Sequence, residues 1–432
     1  MNVLLIGSGG REHAIAWKLR QSRGLTDLHI APGNAGTSDA GHNFDLRVPS
    51  TGAGPADVEA YLEAAVKTAR DLKVDLVFVA PDDPLSWGLV DRLEAADIAA
   101  FGASRDAAQI EASKTWAKAF MRRHAIPNPG TAAFDNLADA RAYVREAAGQ
   151  LVVKADGLAA GKGALVTSTT DEALQALEAL MTQRIAGEAG SRVVIEDRIS
   201  GPEVSAHAFC DGRIASPMPL SCDHKTIFEN NEGPMTGGMG VYSPPWWAPE
   251  GLAEAIMQQV TLPAVEGMRA EGRPFRGVLY PQLMLTDAGL QVIEFNSRFG
   301  DPETQALLPR LQTDLLDIVW AAVNGKLGEV DVKWSDDVSV CVVMASGGYP
   351  GGYLTGLPIT GIDDVDADVT VFHAGTARNA GGELVTAGGR VLGVTATGPT
   401  LADARAKAYV NVEHIRFEGA HFRRDIGLES KG

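Results

Sequence analysis

The sequence predicts a multidomain α/β and α+β chain, and three observations carry that prediction. The first is length: 432 residues exceed what one core ordinarily organises, so two to four domains are expected, each burying its own apolar surface. The second is an alternation of short apolar strands with helical segments over the first hundred residues, the pattern of a parallel sheet wound with helices. The third is a change beyond residue 190, where strands dominate before a Gly/Lys/Glu linker and a final strand-and-helix unit. Composition agrees: 45% hydrophobic and 22% charged residues are those of a soluble globular protein. The formal net charge is −17 and no Lys/Arg cluster stands out, so no nucleic-acid partner is expected. Three scattered cysteines, Cys210, Cys222 and Cys341, give neither a disulfide framework nor a zinc pattern and fit a reducing compartment. The opening run is an apolar strand without a basic leader, and no apolar run is long enough to span a bilayer, so a cytoplasmic chain without a membrane partner is expected.

Taken in order, Val3-Leu4-Leu5-Ile6 leads through a glycine turn into a helix over 12–19, and Leu28-His29-Ile30 and Leu76-Val77-Phe78-Val79-Ala80 supply further strands. Residues 125–190 read as a compact insert of lid size. It holds a strand at 131–134, a helix over 137–147, the strand Leu151-Val152-Val153 ending in Lys154, and a helix over 171–181 capped by Thr170 or Asp171. Strands follow at 192–196, 204–209, 277–285 and 290–295, the last two joined as a hairpin through Thr286-Asp287-Ala288-Gly289. A helix over 313–323 and the linker 325–329 precede a unit with strands at 338–344, 369–372 and 391–395 and a helix over 401–414. There are no internal repeats and no low-complexity tracts.

Two stretches carry most of the chemistry. In Val292-Ile293-Glu294-Phe295-Asn296, strand alternation puts Val292, Glu294 and Asn296 on one face, and the last two are a hard-oxygen pair suited to Mg²⁺. The plain alternative is the polar face of an amphipathic strand; against it, the following Arg298-Phe299-Gly300-Asp301-Pro302-Glu303 needs partners if it is buried. In Lys154-Ala155-Asp156-Gly157-Leu158-Ala159-Ala160-Gly161-Lys162-Gly163, an apolar strand runs through a lysine into a glycine-rich turn whose backbone N–H groups can wrap phosphates, although the Walker pattern is absent. Together they propose a site for Mg²⁺-ATP; the alternative for the lysines is a solvated, flexible loop.

Gly7-Ser8-Gly9-Gly10-Arg11-Glu12-His13, between a strand and a helix, invites a dinucleotide reading. Glu12 occupies the third glycine position, however, and the second strand ends in Ala31-Pro32-Gly33 without a ribose-binding acid. A phosphate on the helix N-terminus, helped by Arg11, or a merely structural glycine turn fits better. Asp223-His224-Lys225, with Glu229 and Gly233-Pro234-Met235-Thr236-Gly237-Gly238-Met239-Gly240 after it, packs charge beside glycines, with a surface loop as the alternative.

These segments, with Ser113-Lys114, Ala31 to Thr37 and Gly347-Gly348-Tyr349-Pro350-Gly351, occur in an order that resembles the phosphoribosylamine-glycine ligases (glycinamide ribonucleotide synthetases) of the ATP-grasp superfamily over essentially the whole chain. The resemblance implies an ATP-grasp fold: a Rossmann-like domain at 1–105, a central domain at 106–124 and 189–327, a lid at 125–188 and a C-terminal α+β domain at 328–432. It implies a ligase of purine biosynthesis that uses ATP and Mg²⁺ or Mn²⁺ to join glycine to 5-phosphoribosylamine through a glycyl phosphate, giving glycinamide ribonucleotide, ADP and phosphate.

By the same resemblance, Lys114, Lys154, Asp156, Gly157, Gly161, Lys162 and Gly163 would hold the nucleotide phosphates. Glu196, Asp197 and Ile199 would form the adenine hinge, and Glu203 would hold the ribose. Glu294 and Asn296 would ligate metal. Arg298, Lys154, Asp223 and Lys225 would serve the reaction, Arg298 as a planar fork for the glycine carboxylate or the transferred phosphoryl. Gly9, Gly10, Arg11, Asp82 and Asp301 would face phosphoribosylamine. A monomer is the default expectation. The sequence departs from the family at Pro81-Asp82-Asp83-Pro84-Leu85, where a glutamate is usual, shortening a ribose-binding carboxylate by about 1.5 Å, with Asp83 as a substitute. It departs again at Thr226, Glu229 and Met235. Alternative readings are another ATP-grasp carboxylate-amine ligase and a non-catalytic ATP sensor.

Overall fold

A computed structural model of the chain describes residues 1–50, 52–147, 149–158 and 163–428. The first sheet contains five parallel strands in the spatial order His42–Asn43, Asp27–Pro32, Asn2–Gly7, Leu76–Val79, Ala99–Phe101. Its inner strands Asn2–Gly7 and Leu76–Val79 are buried on both faces, Leu76–Val79 throughout, which is why they read as apolar runs. Strand order reverses between Asn2–Gly7 and Leu76–Val79, and a doubly wound sheet opens a crevice beyond the carboxyl ends of such a pair. Two predicted segments meet there: the turn into the helix Gly10–Leu19 and the start of the helix Asp82–Trp87.

The central sheet is antiparallel and is built on the long strand Arg276–Thr286, which pairs with Gly289–Asn296 as the predicted hairpin. The strand expected at 204–209 is two strands, Glu203–Ser205 and Ala208–Asp211, both on Arg276–Thr286. The helix Leu315–Val323 packs its apolar side on the first sheet, so Leu315, Ile318 and Val319 share one core with Val3, Leu5 and Ile15. The linker is no free tether: Leu327 is buried and its N–H donates to Asp211 Oδ2 at 3.2 Å.

The insert has its own core, with Val144, Leu151, Val153, Leu177 and Ile195 at its centre. Its sheet takes in a strand beyond residue 188. Val193–Asp197, assigned to the central domain, pairs with both Thr131–Phe134 and Leu151–Ala155 and is the second strand of the insert's four. The second helix is Thr170–Leu177, capped by Thr169, whose side chain accepts from Glu172 N, rather than by Thr170 or Asp171.

The C-terminal sheet borrows from the middle of the chain: Cys222–Asp223 and Gly240–Ser243 join Val338–Ala345, Arg390–Gly398 and Val369–His373, with the helix Leu401–Val412 packed on it. Asp223 is therefore a strand residue with a buried side chain, whereas Glu229 and Gly233-Pro234-Met235 are exposed, as the surface-loop alternative has it. No helix among the described residues is long and apolar enough to cross a membrane.

Candidate active site

One side of the candidate site is organised by a single carboxylate. Glu196, 3% exposed, projects from Val193–Asp197 between two lysines, with Oε2 at 2.9 Å from Lys154 Nζ and Oε1 at 3.2 Å from Lys118 Nζ. Each oxygen of Glu196 thus faces an ammonium group, Oε1 without accepting a hydrogen bond among the described residues. Burial, eased by Glu196, brings Lys118 down to about 8. Lys118 also donates to Val292 O at 3.3 Å and Ile293 O at 3.2 Å, and Lys154 lies 3.4 Å from Ile293 O. A β-bulge explains these contacts. Gln282 pairs with Glu294 but Leu283 with Val292, so Ile293 is the extra residue, and a bulge leaves backbone groups out of the ladder. It also corrects the predicted face: Val292 and Phe295 enter the core, leaving Glu294 and Asn296 on the opposite side.

Asp156, in the loop expected to hold phosphates, turns its carboxylate inward. Its Oδ1 accepts from Thr115 N at 3.0 Å and Ser113 Oγ at 3.1 Å, at the start of the helix Lys114–Arg123. Lys114 Nζ donates to Gly157 O at 3.0 Å, and Gly163 O accepts from Ala155 N at 2.7 Å. Gly161 and Lys162 lie outside the described residues. Asp197 is exposed and Ile199 half-buried at the hinge, and Glu203 Oε2 accepts from Gln282 Nε2 at 3.0 Å.

Glu294 faces a ring of cations. Despite burial, Lys114, Lys154, Lys225 and Arg298 hold its carboxyl below the usual glutamate range. Asn296 directs Nδ2 to Tyr280 O at 3.4 Å, which fixes its amide so that the oxygen is the atom left for a cation. An ionised carboxylate and an oriented amide oxygen are a donor set that suits a hard divalent ion. Among the described residues no three His, Cys, Asp or Glu side chains cluster as a metal site, so remaining ligands would come from phosphate or water.

Arg298 is set from below by Glu111, a buried residue of the helix Arg105–Ala112. Glu111 Oε1 lies 2.8 Å from Arg298 Nη2, while Oε2 accepts from Ser297 N and Oγ at 2.8 Å each. Lys225 Nζ is 3.4 Å from Asp223 Oδ2. Burial outweighs that lysine and raises the Asp223 carboxyl to about 7, and neither of its oxygens has a hydrogen-bond partner. Glu303 accepts from Tyr280 Oη at 2.6 Å and Ser205 Oγ at 3.2 Å. Lys225, after burial, holds its carboxyl below the usual range. A Cβ on Gly300 would lie 2.4 Å from Glu303 Oε2, so only glycine fits beneath that carboxylate.

The other side of the candidate site lies at the crevice of the first sheet. Arg11 turns inward, its Nε 2.6 Å from Glu12 Oε1 and its Nη1 2.9 Å from Phe299 O, and Glu12 Oε2 accepts from Gly9 N at 2.5 Å. Glu12 is thus a helix cap, which accounts for its place in the glycine turn. A Cβ on Gly10 would meet Gln305 Nε2 at 2.5 Å. Gln305 Nε2 donates to Asp301 Oδ1 at 2.8 Å, and Arg390 Nη1 lies 2.7 Å from Asp301 O and 2.8 Å from Gly237 O. Asp82 is half-buried, and against desolvation, which would raise it, Arg298 and Arg11 hold its carboxyl below the usual range. Sequence reading missed Glu111, Lys118 and Arg390. Only Lys118 carried a signal, a lysine one helical turn after Lys114 on the face of Ala117 and Met121.

Three family models match in succession: the phosphoribosylglycinamide synthetase N domain over residues 1–111, its ATP-grasp (A) domain over 112–304 and its C domain over 339–429. The phosphoribosylamine–glycine ligase of Rhizobium meliloti is 44% identical over 99% of this chain and 98% of its own length. That of Xanthomonas axonopodis pv. citri is 46% identical over 99% and 97%. Among solved structures, the phosphoribosylamine–glycine ligase of Thermotoga maritima superposes with a TM-score of 0.84 at 32% identity, over 99% of this chain and 100% of that one. The biotin carboxylase domain of Hydrogenobacter thermophilus 2-oxoglutarate carboxylase, solved with MgADP, superposes at 0.73 with 13% identity over 98% and 91%, a likeness of fold alone.

Proposed function

The chain belongs to the phosphoribosylglycinamide synthetase family, and from that premise we propose how its residues divide the labour of ATP-dependent glycinamide ribonucleotide formation in purine biosynthesis. The observation that carries the assignment of roles is Glu294 ringed by Lys114, Lys154, Lys225 and Arg298, a place where a polyphosphate and a carboxylate can be held together.

Lys114, Lys154 and the loop from Asp156 to Gly163 take the nucleotide phosphates, and the insert acts as their lid. With the Glu196 side chain committed to lysines, backbone at Asp197 to Ile199 reads the base and Glu203 the ribose. Glu294 and Asn296 would hold Mg²⁺ or Mn²⁺, which neutralises phosphoryl charge. Arg298 aligns the glycine carboxylate, whose oxygen takes the γ-phosphoryl group as ADP departs. Gly9, Gly10, Arg11, Asp82 and Asp301 line the place of phosphoribosylamine, whose amine attacks the glycyl carbonyl carbon. The C–N bond forms, the C–O bond to phosphate breaks, and the amine gives up a proton on the side lined by Asp223 and Lys225. No protein nucleophile is needed; rate comes from positioning and charge neutralisation, and a closed lid keeps water from the acyl phosphate.

A coupled ADP assay tests this: ADP is expected only when Mg²⁺, glycine and phosphoribosylamine are all present. Equal turnover without the amine would make the chain an ATPase.

A further inference from the structure

Lys118 and Lys154 both end on Glu196, yet their remaining bonds differ. An ammonium group carries three donors. Lys118 donates to Ile293 O at 3.2 Å and Val292 O at 3.3 Å and faces Glu196 Oε1 at 3.2 Å as an ion pair outside hydrogen-bond geometry, and its side chain is 4% exposed. Lys154 meets two among the described residues, Glu196 Oε2 at 2.9 Å and Ile293 O at 3.4 Å. Lys118 also belongs to a different body: it stands on the helix Lys114–Arg123, whereas Glu196 and Lys154 are on adjacent strands of the insert.

When Lys154 turns toward a phosphate, Glu196 loses one counter-charge. A buried carboxylate left unpaired is strongly destabilising, so the turn is permitted only if a second cation stays behind. We propose that Lys118 is a positioning residue of the nucleotide site: it remains on Glu196 and on the bulge carbonyls, releasing Lys154 to bind nucleotide phosphates without touching the nucleotide itself. This rests on the reading of Lys154 as a phosphate ligand. It predicts that nucleotide affinity depends on Lys118 only while Glu196 is charged.

The test is titration calorimetry of ADP with Mg²⁺ on the full-length protein. Lys118→Met should weaken ADP binding at least 10-fold while the glycine KM stays within 2-fold, and Lys118→Arg should recover most of the loss. In a Glu196→Gln background the same Lys118→Met change should cost no more than 2-fold. An equal loss in both backgrounds, or no loss in the first, overturns the proposal. Should Lys118→Met fail to fold, a folded Lys118→Met/Glu196→Gln double variant that binds ADP as Glu196→Gln does supports the counter-charge; a double variant that also fails to fold overturns it. If wild-type protein binds ADP but Lys154→Met binds it equally well, the fault lies with the reading of Lys154 rather than with Lys118.

Discussion

The nucleotide half and the acceptor half of the site are charged in opposite styles. In the nucleotide half Lys114, Lys118 and Lys154 gather around Glu196 and Glu294, cations in excess and one N–H of Lys154 uncommitted among the described residues. In the acceptor half each guanidinium already has a carboxylate: Arg11 has Glu12, Arg298 has Glu111 and Arg390 has Asp301. The first half is a surplus waiting for a polyanion. The second is a balanced lattice that fixes geometry, and its members come from the first helix, the end of the first domain and the C-terminal sheet. Removing one charge should therefore abolish chemistry in the nucleotide half and loosen substrate in the acceptor half.

The largest effect is expected where the excess is focused. On the proposed roles, Glu294→Ala and Asn296→Ala would each remove an oxygen donor from a cation expected to contribute several kcal/mol of transition-state stabilisation. The kcat should fall about 1000-fold with the circular dichroism spectrum unchanged, and residual activity should need more Mg²⁺. Near-normal turnover at low Mg²⁺ would return these residues to the status of a polar strand face.

In the acceptor half Arg390→Met leaves the half-buried Asp301 without its guanidinium, a loss worth about 2 kcal/mol, the low end for a hydrogen-bonded charge pair. The KM for phosphoribosylamine should rise about 30-fold while that for ATP holds. If the ATP KM rises equally, the two halves are one mechanical unit and the contrast fails.

The same contrast explains what could be read from sequence. The insert, its lysine strand and the Glu294–Asn296 pair were legible because each is a local pattern: an apolar run with period two, a lysine inside it, two oxygens on alternate residues. The bulge at Ile293 was not, because register is a property of two strands, and one misplaced residue sent Val292 to the wrong face. Cys222–Asp223 and Gly240–Ser243 are too short to show a period, so their place in the C-terminal sheet was invisible. Glu111 reaches Ser297 across 186 residues of sequence; in a helix it looks like any solvated glutamate. The acceptor half is made almost wholly of such distant meetings.

Acid should separate the halves more mildly. His13 accepts from His373 N at 2.7 Å where the first helix meets the C-terminal sheet. Burial, joined by His373, lowers His13 to about 3, and burial lowers His373 to about 4. Both are bases with folded values below the unfolded 6.5, so the stability they contribute is whole above pH 6.5 and is lost as pH falls below it, each by up to about 1.4 kcal/mol per pH unit. Asp223 works the other way. Raised to about 7, it costs stability as pH climbs from about 4 to 7 and so offsets one histidine. The insert contains no histidine. Between pH 7 and 5, hydrogen exchange should quicken at the seam around His13 and His373 before it does in the insert, and His13→Gln should flatten the pH dependence of the melting temperature. Uniform quickening across the chain would show that acid does not distinguish the two halves.

The smallest effect should be at the shortened carboxylate, and it decides how the balanced half accommodates a departure from the family pattern. Asp82 and Asp83 open the same short helix, and Arg298 and Arg11 hold the Asp82 carboxyl below the usual range, which ties Asp82 into the lattice of the acceptor half. A hydrogen bond from a ribose hydroxyl to an ionised carboxylate is worth about 1.5 kcal/mol at the lower end, roughly tenfold in binding. An aspartate that stops about 1.5 Å short of a glutamate's reach should realise only part of it, through a bent bond or a bridging water. Asp82→Ala should accordingly raise the phosphoribosylamine KM by about fivefold and leave the ATP KM alone, while Asp82→Glu should restore the missing reach and lower the KM below that of the natural chain. If Asp83→Ala has the larger effect, the neighbouring carboxylate has taken over the ribose. If neither alanine variant moves that KM, the crevice holds its substrate without a carboxylate at this helix.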